Sequence, residues 1–400
     1  MLIKKIACVS MMFPAPSETF HSNNVRAISE LNCEVRVFTL LTRHERHQSM
    51  VRERGLLDIT IDNSNTKNYL KGIGTALSNP VLLLNLLAFI VKNTKGFHLL
   101  KSLFLLPRIF NIWSKISEWK PEVVNLLWGH LPVLVGFLVK TSNPEVVLSM
   151  GLMAYDLENH FGGSAAIVPY VDLVWTQASW NIPLIRSLGF PESKIRLILD
   201  GLDLSTIIGE EPKIPGRIIT AGRLIKPKGI DLCLHTFSLV MKKWPASSLV
   251  ILGEGPELPR LKTLADHLGI SSYVSFKGHV SMKDVASELA ASEIFLFMSF
   301  KAGERLPNVI KEAMANKAVC LVSRTPGIEE LVDDKITGFI LDDNTPEEAF
   351  RIIDDLFKDP KGQVVVRERG FHFIVENFDC RKEMQKLFSE WERINPPINK

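Results

Sequence analysis

The sequence is short of the residues that mark several common classes of protein. Only five cysteines occur in 400 residues, and their odd number and wide separation fit neither a disulfide framework nor the paired spacing of a metal site. We interpret them as reduced core residues of a cytosolic protein. The formal net charge of +3 is small for this length, so the composition gives no indication of a nucleic-acid partner.

The chain also lacks a hydrophobic run of membrane-spanning length. Two apolar runs, PVLLLNLLAFIV and FHLLKSLFLLPRIFNIW, occur within 69–119, but neither reaches the ~20 residues that cross a bilayer. Lysines interleave with both runs, which leaves two interpretations: core helices, or basic helices at a membrane interface. The N-terminal MLIKKIACVSMMF precedes a polar stretch without a small-residue cleavage site, which favours a first strand over a signal peptide.

A glycine-rich dinucleotide fingerprint is missing after the first predicted strand. The loop there reads MMFPAPSETF and contains no glycine, whereas a nicotinamide-dependent oxidoreductase has GxGxxG at that point. The oxidoreductase class is therefore poorly supported.

Short β-branched runs alternate with helix-period segments along the chain, which predicts parallel sheets covered by helices. A length of 400 residues is too long for one hydrophobic core and suits two domains. A stretch rich in glycine, proline and charge predicts a linker at 205–216. We predict an α/β fold with two Rossmann-like doubly wound domains, at 1–204 and 217–375, followed by a C-terminal helix within 376–400.

Two strand-to-helix loops of the second domain carry groups that suit phosphate. In AGRLIKPKG, Gly222 permits a tight turn, and Arg223 and Lys228 follow it. A guanidinium binds two phosphate oxygens while an ammonium acts as a mobile point charge, so this pair fits a diphosphate. A solvated basic loop is the alternative. The glycines of LGEGPELPRL are a weaker signal, because such glycines are often only turn residues.

The stretch AGERLPNVIKEAMA has a glutamate on each side of a predicted helix start. Pro307 suits the first turn of a helix, where its missing N–H costs nothing. The free amides of that turn, with the helix dipole, would face an anion. These amides belong to Asn308, Val309 and Ile310. Glu304 before the helix and Glu312 within it accept hydrogen bonds, as the hydroxyls of a sugar and a ribose require. The stretch therefore predicts a site for a molecule with sugar, diphosphate and ribose in succession.

These stretches resemble the donor-binding domain of the family 4 retaining glycosyltransferases, which have the GT-B architecture. The matching segments occur in the family's order: GRLIKPKG, LGEGPELPRLKTLADHLGI, VSFKGHVSMKDV, ERLPNVIKEAMA, PGIEELVDD and TGF. The first half matches more loosely, through FPAPSETF, WGH, AYDLE and DGLD. The resemblance implies two Rossmann-like domains that face each other across a cleft, with the C-terminal helix returning to the first domain.

By the same resemblance, the chain would move a sugar from a nucleotide diphosphate sugar to an acceptor hydroxyl and keep the anomeric configuration. Arg223 and Lys228 would bind the diphosphate and stabilise the charge of the leaving group. Glu304 would bind the transferred sugar, and Glu312 the ribose. No metal or other cofactor is implied, because cationic side chains and a helix terminus take its place.

Further positions follow from the resemblance. The residues expected against the base are Lys277, Gly278 and His279. The loop of the first domain expected to close over the phosphates contains Ser17, Glu18 and Thr19. The residues expected on the acceptor or sugar side are His130, Met153, Tyr155 and Asp156.

Two positions depart from the family pattern. Arg305 stands where the family usually has glycine, and it either points outward or adds a cation near the donor. Met153 stands where the family often keeps a histidine near the transferred sugar, so that hydrogen bond is lost unless His130 or His21 replaces it. A sugar-nucleotide-binding protein without transfer activity is therefore an alternative to the enzyme.

The expected partners are a nucleotide-sugar donor and a lipid-linked or other saccharide acceptor in bacterial polysaccharide or lipopolysaccharide synthesis. If the basic apolar segment 69–119 lies at a membrane, the enzyme is cytoplasmic and peripheral at the inner face of the cell membrane. A transferase for soluble acceptors and a sugar-nucleotide epimerase share the fold and are the alternatives. The sequence does not specify the sugar, the base or the linkage.

Overall fold

The structure, a computed structural model, describes residues 3–14, 19–41, 55–62, 65–159, 161–301 and 303–395. Its contacts divide the chain into two compact units. Unit 1 comprises Met1–Gly201 and Cys380–Lys400, and unit 2 comprises Leu202–Asp379.

Unit 1 is built on a seven-stranded sheet with the strand order β3-β2-β1-β4-β5-β6-β7. The strands are β1 (Lys5–Ser10), β2 (Glu34–Thr39), β3 (Thr60–Asp62), β4 (Val123–Leu126), β5 (Val147–Gly151), β6 (Leu173–Thr176) and β7 (Ile195–Leu197). All neighbouring strands pair in parallel. The inner strands read as near-continuous apolar runs because helices cover both faces of such a sheet.

Eight α-helices among the described residues of unit 1 precede unit 2 in the chain. They are α1 (Thr19–Ser29), α2 (Thr66–Leu77), α3 (Pro80–Asn93), α4 (Gly96–Trp119), α5 (Val133–Ser142), α6 (Ala154–Glu158), α7 (Gly162–Ala166) and α8 (Ile182–Ser187).

Unit 2 has a six-stranded parallel sheet with the strand order β10-β9-β8-β11-β12-β13. The strands are β8 (Ile214–Ala221), β9 (Ser248–Leu252), β10 (Val274–Gly278), β11 (Ser292–Phe297), β12 (Val319–Ser323) and β13 (Phe339–Leu341). The helices are α9 (Leu204–Ile207), α10 (Ile230–Lys243), α11 (Leu258–His267), α12 (Met282–Ala291), α13 (Asn308–Ala315), α14 (Pro346–Lys358) and α15 (Pro360–Asn377). Both units therefore confirm the predicted α/β class with doubly wound parallel sheets.

Side-chain caps begin several helices of unit 2. The hydroxyl of Ser281 accepts a hydrogen bond from the Asp284 N–H at 3.2 Å, and that of Thr345 accepts one from the Glu348 N–H at 3.3 Å. Each cap satisfies an amide that has no partner within the first turn of its helix.

The segment expected to be a linker, 205–216, differs from that expectation. Residues from Leu204 form the short helix α9, and the first strand of unit 2 begins at Ile214. The Asn316 side chain attaches the intervening residues to unit 2. It accepts from the Gly209 N–H and donates to the Ile207 carbonyl, both at 2.7 Å.

The last helix of the chain, α16 (Cys380–Ile394), packs on unit 1, as expected for the C-terminal helix. Its buried side chains, which include Leu387 and Trp391, join one hydrophobic cluster with Ile6 of β1. At its polar edge, Arg196 donates to Glu390 at 2.6 Å. The helix is therefore part of the core of unit 1.

We expect Trp391→Ala to lower the free energy of unfolding of unit 1 by about 3–5 kcal/mol, because it removes a fully buried indole and leaves a cavity. Urea denaturation followed by circular dichroism measures the change. Trp180→Ala is the matched control, since that indole is 53% exposed, and it should cost less than about 1 kcal/mol. Equal losses in the two variants would contradict the assignment of α16 to the core.

Candidate functional site

Two predicted site residues meet where the strand order of unit 2 reverses. The loop after β8 contains Lys228, and the loop after β11 contains Glu304. The Lys228 ammonium lies 2.8 Å and 3.0 Å from the two carboxylate oxygens of Glu304. The side chains are only 14% and 10% exposed. An ion pair therefore joins these loops at the carboxyl ends of adjacent central strands, the place where doubly wound sheets bind ligands.

Main-chain contacts position the pair. The Phe300 N–H and the Ser299 hydroxyl both donate to the Pro227 carbonyl, at 3.0 Å and 3.1 Å. The Lys228 ammonium also lies 5.5 Å from the centre of the Phe297 ring, within range of a cation–π attraction. The two loops are thus tied together by their backbone as well as by their charges.

Two glycines allow loops at this edge of the sheet to approach one another closely. Gly229 has a φ of +63°, and a Cβ there would lie 2.0 Å from the Met298 carbonyl oxygen. Gly253, after β9, has a φ of +123°, and its Cβ would lie 1.9 Å from the Gly222 carbonyl oxygen. Any larger residue would push neighbouring strand ends apart, so backbone contact at this edge of the sheet requires glycine.

Other cations lie on the same two loops. Arg223 is exposed on the β8 loop, and its guanidinium makes no hydrogen bond or ion pair with another residue that the structure describes. The Lys301 ammonium lies 3.9 Å from a carboxylate oxygen of Glu304. The Glu304 carboxylate is therefore within ion-pair distance of both Lys228 and Lys301, whereas Arg223 pairs with no described residue.

The start of α13 departs in one respect from the prediction. The Ile310 N–H already donates to the Pro307 carbonyl at 3.1 Å, so it is not a free amide. The amides of Asn308 and Val309 have no acceptor within the described part of the chain. Glu312 lies one turn further along the helix and is partly exposed.

Two cations near α13 are buried. Arg305 is 9% exposed, so the interpretation that it points outward is wrong. Lys311, which the sequence analysis missed, is 1% exposed, donates to the Asn308 side chain at 3.0 Å and lies 5.1 Å from the centre of the Phe378 ring. Its only sequence signal is a charge on the apolar side of the helix, three residues after Asn308.

The residues expected against the base follow β10. Gly278 ends the strand, and its carbonyl accepts from the Gly253 N–H at 2.8 Å. His279 is exposed beyond it. The Lys277 ammonium lies 3.5 Å from Glu288, a residue of α12. Gly278 and His279 therefore lie beside the β9 loop, whereas Lys277 is paired with a neighbouring helix.

Unit 1 brings together the residues expected on the acceptor or sugar side. His130 Nδ1 lies 2.8 Å from an oxygen of Asp156, whose side chain is fully buried. The second carboxylate oxygen accepts from the Met153 N–H at 3.2 Å. When Nδ1 donates to the carboxylate, Nε2 is left to accept a hydrogen bond from a ligand.

Aromatic rings surround this pair. The rings of Trp128 and Tyr155 lie 5.6 Å and 5.8 Å from that of His130, and Tyr155 is 58% exposed. The ring of His21 lies 5.1 Å from Trp128 but is fully enclosed. Neither of its nitrogens has a hydrogen-bond partner among the described residues. Of the two histidines considered as replacements at the Met153 position, only His130 is accessible to a ligand.

The expected phosphate-closing loop is only partly described. Ser17 and Glu18 lie outside the described residues, and Thr19 is the first residue of α1.

Comparison with solved structures identifies the fold of the two doubly wound units as GT-B. The structure of Anabaena HepE in complex with UDP has a TM-score of 0.75 and 13% identity to this chain, and covers 98% of this chain and 100% of its own. Residues 208–373, which span most of unit 2, match the family model of the glycosyl transferases group 1. This match supports a transferase.

Curated relatives agree with that class. An uncharacterised glycosyltransferase of Methanocaldococcus jannaschii is 29% identical over 212 residues, which are 51% of this chain and 54% of the relative. The lipopolysaccharide core biosynthesis glycosyltransferase LpsE of Rhizobium meliloti is 26% identical over 284 residues, 66% of this chain and 81% of the relative. The chain spans about half the length of the first of these relatives.

Burial of His21 makes unit 1 sensitive to acid. Enclosure in the core, with His130 nearby, lowers its pKa from 6.5 to about 3. The unfolded chain therefore binds more protons at this histidine between these two values, so the contribution of neutral His21 to stability is complete above pH 6.5 and is lost as the pH decreases. By pH 5 the loss from this one group is about 2 kcal/mol.

We therefore expect His21→Phe to reduce the acid sensitivity of unit 1. Urea denaturation at pH 7.5 and pH 5 measures the free energy of unfolding of both proteins. The wild type should lose about 2 kcal/mol more than the variant between these pH values. Parallel losses would show that His21 does not remain neutral in the folded state.

Proposed function

We propose that this chain is a retaining glycosyltransferase that moves a sugar from a nucleotide diphosphate sugar to an acceptor hydroxyl. The observation that carries the proposal is the shielded Lys228–Glu304 ion pair at the strand reversal of unit 2. Without donor, each group neutralises the other. A nucleotide sugar supplies a new partner for both, because its diphosphate attracts the ammonium and its sugar hydroxyls donate to the carboxylate.

Cationic groups at the site match the charge that develops in the reaction. As the bond between the sugar and the diphosphate breaks, negative charge grows on the leaving phosphate. Lys228 and Arg223 would stabilise that charge, and the free amides of Asn308 and Val309 would add to it at the start of α13. We propose that these groups make the reaction independent of a metal ion.

The remaining donor contacts follow the same order along the site. Glu312 would accept from the ribose hydroxyls, and the backbone around Gly278 and His279 would lie against the base. Arg305 is buried within the loop between Glu304 and α13, which supports a contribution of positive charge near the diphosphate.

The acceptor is proposed to bind unit 1 beside His130 and Tyr155. An imidazole oriented by a buried carboxylate accepts a hydroxyl hydrogen, and an exposed aromatic ring packs against a sugar ring. We propose that the acceptor is a lipid-linked saccharide, and the relative in lipopolysaccharide core biosynthesis supports this choice. We also propose that the enzyme is cytoplasmic and acts at the membrane.

A binding protein without transfer activity is the second candidate. Met153 is buried at 3% exposure and provides no side-chain donor at a position where the resembling family keeps histidine. Measured turnover of UDP-, GDP- and ADP-sugars separates the candidates, since tight nucleotide binding without product would favour the binding protein.

We expect Glu304→Gln to keep nucleotide affinity within about threefold but to lower sugar transfer by about 100-fold. A carboxylate only accepts hydrogen bonds, whereas the amide that replaces it also donates, so it cannot bind the sugar hydroxyls in the same way. Lys228→Met should weaken nucleotide binding itself. Calorimetry with the nucleotide and a transfer assay with the sugar nucleotide measure the two effects.

Glu347→Gln, at an exposed glutamate of α14, is the matched control and should change neither value. Each single variant leaves one unpaired charge, whereas the double variant Lys228→Met/Glu304→Gln removes both charges together. It therefore shows whether the loss of transfer or of nucleotide binding in a single variant comes from the unpaired charge. Full transfer by Glu304→Gln would contradict the proposal. Addition of EDTA should leave turnover unchanged.

Transfer should also depend on the His130–Asp156 pair. We expect His130→Gln to lower kcat/KM for the acceptor by about tenfold or more, while calorimetric binding of the nucleotide stays unchanged. Asp156→Asn should reproduce part of this loss by misorienting the imidazole. An unchanged acceptor KM and kcat in both variants would remove His130 from the acceptor site.

A further inference from the structure

Exposed apolar side chains concentrate on α2, α3 and α4 of unit 1. Of the 22 large hydrophobic residues exposed in the described part of the chain, nine lie between residues 70 and 104. They are Leu70, Ile73, Leu77, Val81, Leu84, Val91, Phe97, Leu100 and Phe104. Single exposed apolar residues are ordinary on a protein surface, but nine within 35 residues of chain require an explanation.

The nine residues form one stripe on each helix. Within each helix they recur three, four or seven residues apart, which places them on one side. Another side of each helix packs into the core of unit 1, through residues such as Ala76, Leu86 and Leu105. The three helices therefore have an apolar face toward solvent in addition to the one that folding requires.

The charge of this segment is of one sign. From residue 63 to residue 117 the sequence contains no aspartate or glutamate and seven basic residues, although the whole chain has a net charge of only +3. The seven are Lys67, Lys71, Lys92, Lys95, Lys101, Arg108 and Lys115. Lys71, Lys92 and Lys101 each follow directly after a residue of an apolar stripe. The rest of the chain is accordingly net negative.

We propose that these three stripes and their lysines form a lipid-docking face that binds the surface of a bilayer with anionic headgroups. Side chains such as Phe97 and Leu100 would enter the boundary between headgroups and acyl chains, while the lysines meet lipid phosphates. A second copy of the chain fits this face poorly, because the face offers no carboxylate to pair with the lysines of the other copy.

Helix length agrees with docking on the bilayer surface. Within the described ranges no single helix is long and apolar enough to cross a membrane, and α2 with α3 passes that test only as a pair bent by 102°. Leu86, Phe89 and Ile90 of α3 belong to the protein core, so that side of the helix is not available to lipid. The inference extends the proposed function, because a docked enzyme would meet a lipid-linked acceptor.

Flotation of the full chain with vesicles tests the proposal. We expect binding to phosphatidylcholine vesicles that contain about one-third phosphatidylglycerol, and about tenfold weaker partition to pure phosphatidylcholine. Raising the salt concentration should weaken the first and not the second, because salt screens the lysine–phosphate attraction.

Two surface variants probe the two kinds of contact separately. Phe97→Ser/Leu100→Ser removes apolar insertion, and Lys92→Glu/Lys95→Glu reverses charge. Each should lower partition to the anionic vesicles by about tenfold or more. The matched control is Val364→Ser/Val365→Ser, at two exposed residues of α15, and it should bind as the wild type does. Thermal unfolding by circular dichroism checks that all variants are folded.

The outcomes distinguish docking from catalysis. Glu304→Gln should bind vesicles like the wild type while it loses transfer, so failure of one proposal leaves the other intact. Absence of wild-type binding to the anionic vesicles at low salt would overturn the lipid-docking face. A dimer that Phe97→Ser/Leu100→Ser converts to monomer, without vesicle binding by the wild type, would overturn it in favour of a second copy.

Discussion

The arrangement of unit 2 depends on one interaction, the ion pair between Lys228 and Glu304. Its two groups come from loops 76 residues apart in sequence, and each is largely withdrawn from water. Loss of either partner would leave the other as a poorly hydrated single charge, which costs far more than the pair contributes to stability. Gly229 is needed for the same contact, because its backbone lies against the Met298 carbonyl. The pair therefore holds the ends of two adjacent strands close together.

Much of the fold could be predicted from the sequence because buried parallel strands are near-continuous apolar runs, and both sheets follow from that pattern. Strand β3 cannot be recognised from the sequence, because its three residues, Thr60–Asp62, give no periodicity to detect. The segment 205–216 looked like a linker from its glycine and proline content. Its attachment to unit 2 depends on Asn316, a contact across more than a hundred residues that composition does not encode.

The sequence was sufficient to predict which residues belong to the candidate site, but not which of them contact each other. Lys228 and Glu304 were each assigned to a different part of a donor, and nothing in the sequence indicated that they pair with each other. The same limit applies to His21 and His130, which are equivalent in sequence until packing encloses one and leaves the other accessible. Side-chain burial is a property of tertiary structure. For the same reason, the sequence alone could not decide whether the Arg305 side chain is buried or exposed to solvent.

The central claim is that a bound nucleotide sugar separates Lys228 from Glu304 and becomes the new partner of both side chains. A structure of the chain with its donor bound tests this claim most directly. The distance to measure joins the Lys228 ammonium and the Glu304 carboxylate, now 2.8 Å. We predict that it exceeds about 4 Å in the complex, beyond the range of an ion pair, with the ammonium on a phosphate oxygen and the carboxylate on a sugar hydroxyl. An unchanged ion pair with the donor bound elsewhere would contradict the account.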